Sequence, residues 1–184
     1  MKMIIAVTFL GILVHALAKE CKLQPAMQNF DSDKYFKIPH VYVTHSKNGP
    51  EEKVCQEYET IQKRGSFPKT LIIGGYKQPG GIIPALECTN TPKAGSKGQF
   101  DVECEDKKKG GSKIYLETSV IDTDYQKYAL LQSCFKSTGS DDILVMQTFR
   151  ERVDERIKAV FEKKHWSLEQ WFSRAKVDCD TKKN

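Results

Sequence analysis

The residues of this 184-residue chain whose types could do chemistry are six cysteines, scattered histidines and a few polar residues set in apolar runs. His40 and His45 lie five apart in HVYVTHS (40–46), where alternation puts them on opposite sides of a strand, so they cannot act as a pair. With His165 they read as structural or surface residues. No Cys-x-x-Cys and no Cys/His spacing suits zinc, so no metal ligand is assigned. There is no G-x-S-x-G elbow, P-loop or H-E-x-x-H, so no residue is assigned to catalysis and the chain is not expected to be an enzyme. Residues 69–89 contain no histidine to serve as an axial ligand, which argues against haem, and no other cofactor is expected. Asp122 and Asp124 in IDTDY could face an amine, but their turn-like setting favours capping. Arg64-Gly65-Ser66 lacks the carboxylate of an Arg-Gly-Asp adhesion loop.

What remains is polar groups at strand spacing. CQEYETIQKR (55–64) alternates strictly, with Cys55, Glu57, Glu59 and Ile61 on one side and Gln56, Tyr58 and Thr60 on the other. In ILVMQTF (143–149), Gln147 shares a face with Ile143, Val145 and Phe149, leaving Leu144 and Met146 free to meet a helix outside. Leu116 and Thr118 share a face with Ile114 and Val120. A glutamine buried on an apolar face must find a hydrogen-bond partner. Either Gln56, Tyr58 and Gln147 satisfy one another or hold water in a plugged interior, or they converge on a ligand. A mostly apolar pocket with a few converging polar groups is the composition of a small-molecule site.

The elements that must position these groups are legible as short alternating runs between turn signals. Besides the two above they are KTLIIGGY (69–76), IIPALECT (82–89), GQFDVEC (98–104), KIYLETSVI (113–121) and QKYALLQSC (126–134), with HVYVTHS making eight. A short helical turn capped near Asp31 and stopped by Pro39 precedes them. Only RVDERIKAVFEKK (152–164) has helical period, with Val153, Ile157, Val160 and Phe161 on one face, and Trp166, Leu168, Trp171 and Phe172 form a second apolar cluster. Eight antiparallel strands with one C-terminal helix predict an all-β, up-and-down barrel with an interior cavity; a β-sandwich is the alternative.

Compartment follows from the ends and the cysteines. Lys2, the apolar run Met3–Val14 and Ala16-Leu17-Ala18 read as a signal peptide over 1–18, leaving one domain over 19–184. No later run is apolar enough to span a bilayer, so a soluble, secreted chain without membrane contact is expected. The formal charge of +5 loses only Lys2 with the leader, leaving a mild +4. The Lys107–Lys109 run reads as a hairpin tip without interleaved aromatics, so nucleic-acid binding is not expected. Six cysteines in a secreted chain imply three disulfides in one of 15 connectivities. Cys88 and Cys104 bracket the Pro/Gly-rich NTPKAGSKG and should face each other across a hairpin; the other four stay open on spacing alone. An even count leaves no odd thiol to cross-link a dimer, and a monomer is expected.

FDSDKYFKIPHVYVTHSKNGP, CTNTPKAGSKGQFDVEC, ETSVIDTDYQKYALLQSC and WSLEQWFSRAKVDCD, together with the leader MKMIIAVTFLGIL, resemble the salivary lipocalins of blood-feeding triatomine bugs, a triabin-like family. The likeness is closest to the pallidipin and triplatin branch. The Gly-x-Trp of other lipocalins is absent, with Pro39-His40-Val41-Tyr42 in its place. The resemblance implies disulfides Cys21–Cys134 and Cys55–Cys179 beside Cys88–Cys104. A cystine from Cys55 to a tail outside the barrel turns Gln56, Tyr58 and Thr60 inward. It further implies salivary secretion, inhibition of host platelet aggregation, and a thromboxane- or eicosanoid-like lipid mediator as ligand. Gln56, Tyr58, Leu116, Thr118, Val145, Gln147 and Phe149 are then the candidate ligand-binding residues. The branch pattern Cys-Arg-Glu-Tyr reads Cys55-Gln56-Glu57-Tyr58 here, which replaces a charge-assisted contact to a carboxylate with a neutral one. The rival is a lipocalin whose surface loops block a host haemostatic protein, such as a coagulation protease or a collagen receptor.

Overall fold

The computed structural model describes residues 21–49, 55–61, 66–78, 81–106 and 113–174, with 75–78 and 81–84 described by backbone only. The expected leader 1–18, the lysine tip 107–109 and Cys179 lie outside the described residues.

The eight expected strands form. They are β1 (His40–Ser46), β2 (Glu57–Ile61), β3 (Lys69–Gln78), β4 (Gly81–Pro92), β5 (Gln99–Asp106), β6 (Ile114–Thr123), β7 (Tyr128–Phe135) and β8 (Asp141–Gln147). Each pairs antiparallel with the next, and β1 closes the barrel by pairing with both β2 and β8. A two-residue strand, β9 (Phe172–Ser173), joins β1 at His45–Ser46, where β2 has left that edge. No run in the sequence announces β9; it is too short for alternation to register.

A β-bulge at Thr44 corrects one expectation. The register passes from Val43 opposite Met146 to His45 opposite Val145, so the extra residue resets the alternation. His40 and His45 therefore lie on the same outer side rather than opposite ones. They still have separate partners: His40 Nε2 is 2.9 Å from Glu57 Oε2, and His45 Nδ1 is 3.3 Å from Thr44 Oγ1. Burial pushes the His45 pKa down and keeps its ring neutral.

Two short elements settle how the barrel ends. The helical turn α1 (Ser32–Tyr35) is capped by the Asp31 carboxylate, which accepts the Lys34 N–H at 3.0 Å. Upstream of it, residues 21–27 run as a strap across the outside of β5, β6 and β7. Gln132 Oε1 accepts the Gln24 N–H at 2.5 Å, Ser119 Oγ donates to the Gln24 carbonyl, and the Met27 N–H reaches the Val120 carbonyl. The Cys21–Cys134 disulfide pins the strap's beginning to β7. Where it crosses the β4–β5 turn, Gly98 has φ +85°, and a Cβ there would meet Ala26 Cβ at 3.0 Å and Phe30 Cγ at 3.1 Å. The strap then carries Phe30, Tyr35 and Phe36 under the barrel, where Phe36 meets Phe100 edge-on at 5.4 Å. That aromatic cluster is the barrel floor.

The second core lies outside the wall. The helix α2 (Glu155–Lys163) buries Ile157 and Phe161 against Ile121, Tyr128, Leu130, Ile143 and Val145, with Val153 and Val160 at the margin. Trp166, Leu168 and Trp171 complete the cluster, but Phe172 is 36% exposed on β9 and does not join it. The helix stops at His165, whose φ of +55° is the left-handed position usually held by glycine. Its N–H bonds the Glu162 carbonyl and the Trp166 N–H bonds the Phe161 carbonyl, so this histidine ends a helix.

At the other end of α2, the Asp154 carboxylate accepts the Arg156 N–H at 3.0 Å and pairs with the Arg156 guanidinium at 2.8 Å. The guanidinium first, then the backbone N–H, hold its pKa at about 2 against the opposing effect of burial. Asp154→Ala is expected to lower stability by about 1 kcal/mol at neutral pH. A depressed carboxylate stabilises the fold above its unfolded value near 3.8, and the contribution is lost as pH falls through about 2. The difference between the two proteins, read by chemical unfolding across pH, should close in that window.

Candidate functional site

The site is the barrel interior. The space free of atoms within and beside it is about 680 Å³ with adjoining solvent counted. Its floor is Tyr35, Phe36 and Phe100, and its apolar wall includes Val41, Ile72, Val102, Leu116, Leu131 and Met146. The strands fold this way because alternation gives each an inward set: Val41 and Val43 from β1, Leu86, Cys88 and Asn90 from β4, Ile114, Leu116 and Thr118 from β6. Cys88 and Cys104 are opposite each other across β4 and β5 and are bonded, as their hairpin spacing predicts. Both are buried, and Cys88 is part of the cavity wall.

Of the seven residues expected from the sequence, three line the cavity: Tyr58, Leu116 and Thr118. Gln56 stands just beyond the wall, with Nε2 at 3.3 Å from the Tyr58 hydroxyl. Thr60 faces the cavity beside Tyr58, while Cys55 and Glu57 lie on the other side of β2 and are nevertheless buried. Cys55 is disulfide-bonded, and its expected partner Cys179 lies outside the described residues.

Val145, Gln147 and Phe149 do not line the cavity, which corrects the facing expected for β8. Leu144 and Met146 point inward and Ile143 and Val145 point out to α2. The reason is register: Leu131 is opposite Leu144 and Ala129 opposite Met146, and directly opposed residues share a face. Gln147 is fully buried outside the barrel. Its Nε2 donates to Thr44 Oγ1 at 3.2 Å and to the Arg152 carbonyl at 3.1 Å, and its Oε1 accepts the Asp154 N–H at 2.8 Å. Gln147 thus joins β8 to the start of α2. Phe149 lies past the end of the strand, with the Arg152 guanidinium 5.9 Å from its ring centroid.

Sequence reasoning missed the polar members that the cavity does contain. Thr70 and Asn90 stand beside Thr60 on three successive strands, and Ser133 is directly opposite Thr118 on β7. Asn90 was findable. It lies two residues from Cys88 and so shares its face, and an amide on an apolar face is the same signal that singled out Gln147.

No described lining residue carries a charged side chain, and burial pushes the Tyr35 phenol pKa up so that it stays neutral. Among the described residues no cluster of His, Cys, Asp and Glu could hold a metal ion. Asp124 is committed to its turn, accepting the N–H groups of Gln126, Lys127 and Tyr128 and pairing with Arg156 at 2.6 Å. Asp122 accepts the Tyr128 hydroxyl at 2.8 Å. Such a cavity can bind an apolar body and offer it neutral hydrogen bonds.

A family model described as Triabin matches residues 15–160. Pallidipin of Meccus pallidipennis is 54% identical over the full length of both chains. Platelet inhibitor triplatin-2 of Triatoma infestans is 45% identical over 97% of this chain and 100% of its own. Among solved structures, a mutant of LTBP1 in complex with leukotriene C4 shares the fold at a TM-score of 0.62 and 20% identity, covering 84% of this chain and 95% of its own.

Proposed function

The chain belongs to the triabin family, and from that premise we propose that it is a secreted salivary lipocalin that inhibits host platelet aggregation by sequestering a small amphipathic lipid mediator, thromboxane- or eicosanoid-like, in its barrel. The observation that carries this reading is the cavity itself: its described wall is apolar for the most part, with a few neutral polar groups converging on it, which is the composition of a small-molecule site. The name of one relative as a platelet inhibitor supports the physiological half, and the leukotriene held by the LTBP1 barrel supports the chemical half. Binding alone would be the mechanism, because lowering the free agonist needs stoichiometry and not turnover. No step of it asks for a catalytic residue.

Calorimetry with a stable thromboxane analogue tests this directly, with a saturable one-to-one heat expected. No heat at tens of micromolar, with aggregation still blocked, would instead favour surface binding to a host haemostatic protein. A plug variant tests the location. Leu116, 3% exposed at mid-wall, replaced by Trp adds a ring to the lumen. Leu116→Trp is expected to weaken ligand binding at least tenfold while costing about 1–3 kcal/mol of stability from overpacking.

A further inference from the structure

Asn90 is 8% exposed, faces the cavity near its floor, and has a fixed amide. Its Nδ2 is 3.1 Å from the Pro68 carbonyl and 3.0 Å from Thr70 Oγ1. A carbonyl oxygen only accepts, so the nitrogen must be the atom that faces Pro68, and the orientation of the amide is settled by chemistry. The Asn90 backbone N–H reaches the same Pro68 carbonyl at 2.9 Å, which anchors the residue a second time. Neither side-chain bond uses Asn90 Oδ1, so that oxygen remains an acceptor. Thr70 Oγ1 accepts from Asn90 and keeps its own proton to donate. Thr60, directly opposite Thr70, adds a third hydroxyl to the patch.

We propose that Asn90 and Thr70 form a hydroxyl-recognising subsite at the deep end of the pocket, which takes an alcohol on the apolar body of the bound lipid. The alcohol donates to Asn90 Oδ1 and accepts from the Thr70 hydroxyl, a pair that a bare hydrocarbon cannot satisfy. Because the subsite lies beside the aromatic floor and the described wall holds no cation, the lipid enters tail first with its carboxylate toward the mouth. The subsite sorts oxygenated lipids from ordinary fatty acids by a pre-set pair of neutral hydrogen bonds. The inference rests on the lipid-binding reading above and adds to it the residues that set the preference.

The test is calorimetry of the full secreted protein with 12-hydroxydodecanoic acid and dodecanoic acid, which differ only by a terminal hydroxyl. The hydroxy acid is expected to bind about tenfold more tightly, as two neutral hydrogen bonds allow. Asn90→Leu should bring the ratio of the two affinities, both measured on that variant, close to one. Should that variant fail to fold, Thr70→Val, which keeps the shape and removes the donor, should cut the ratio about threefold. Equal affinities in the unaltered protein, or a ratio that survives either substitution, would overturn the subsite and leave lipid binding standing. Absence of binding by both acids would overturn the subsite and the lipid-binding reading together.

Discussion

Replacing Cys21 and Cys134 by serine is expected to lower the unfolding free energy by about 4.8 kcal/mol, against about 3 kcal/mol for the same change at Cys88 and Cys104. The two bonds close loops of very different length, with sequence separations of 113 and 16 residues. In the chain-entropy model the longer loop restricts the unfolded chain more, although the shorter one sits deeper in the barrel. Against a typical stability of about 5–15 kcal/mol, losing the first bond takes a large share of the whole. The functional consequence follows from what the bond holds. It anchors the strap whose continuation supplies Tyr35 and Phe36 to the cavity, so the loss should loosen the floor and weaken ligand binding as well. Urea unfolding of the two double variants checks the ranking. An equal or smaller loss for the Cys21–Cys134 pair would mean that the strap's hydrogen bonds to Gln132, Ser119 and Val120 hold it without the cross-link.

The strap also marks a boundary of what could be read from the chain. Alternation and turn residues were enough to place all eight strands, because each strand of a small closed barrel has one face inward and a turn at each end. The Cys88–Cys104 pair was legible for the same reason, being local. The facing of β8 was not. Ile143, Val145, Leu144 and Met146 make both of its faces apolar, since one packs the lumen and the other α2. Nothing in the strand's own pattern distinguishes the two, and the answer depends on its pairing with β7, where a slip of one residue exchanges the faces. An internal clue existed. The strap bonds to Cys134 and Gln132 from outside, which sends Ala129, Leu131 and Ser133 inward and, through the register, Leu144 and Met146 with them. The Thr44 bulge was invisible for a different reason, because an extra residue in a run of Val, Thr and His changes no pattern that can be counted.

Charge in the pocket shows the same division between local and global cues. Position 56 stood out because a neutral amide occupies the place of an expected cation, and the expectation was that this side chain would meet the ligand. In the fold its amide meets the Tyr58 hydroxyl at 3.3 Å, and Tyr58 is the residue in the wall. The polar side chains of the described wall are therefore Tyr58, Thr60, Thr70, Asn90, Thr118 and Ser133, all neutral, set on five strands. For the lipid proposed above, a neutral wall would make burial of the apolar body the main source of affinity, with hydrogen bonds deciding which oxygenated body is preferred.

Gln147→Leu is expected to separate stability from binding. The substitution keeps the side chain close to the original in size but makes it apolar, and it removes three hydrogen bonds from a fully buried position. The Asp154 N–H and the Arg152 carbonyl lose the partners that tie the start of α2 to β8, at about 1–3 kcal/mol for each buried group left unsatisfied. A loss of about 3 kcal/mol in urea unfolding is the expected result. Ligand affinity should stay within about twofold, because the side chain lies on the far side of the wall from the cavity. Leu116→Trp should differ in its binding: affinity weakened at least tenfold for a cost in stability of about 1–3 kcal/mol. If Gln147→Leu abolished binding in a protein that is still folded, the docking of α2 would have to control the shape of the lumen through Val145 and Ile143. The barrel would then be a pocket tuned from outside, and its apolar second core would be part of the site.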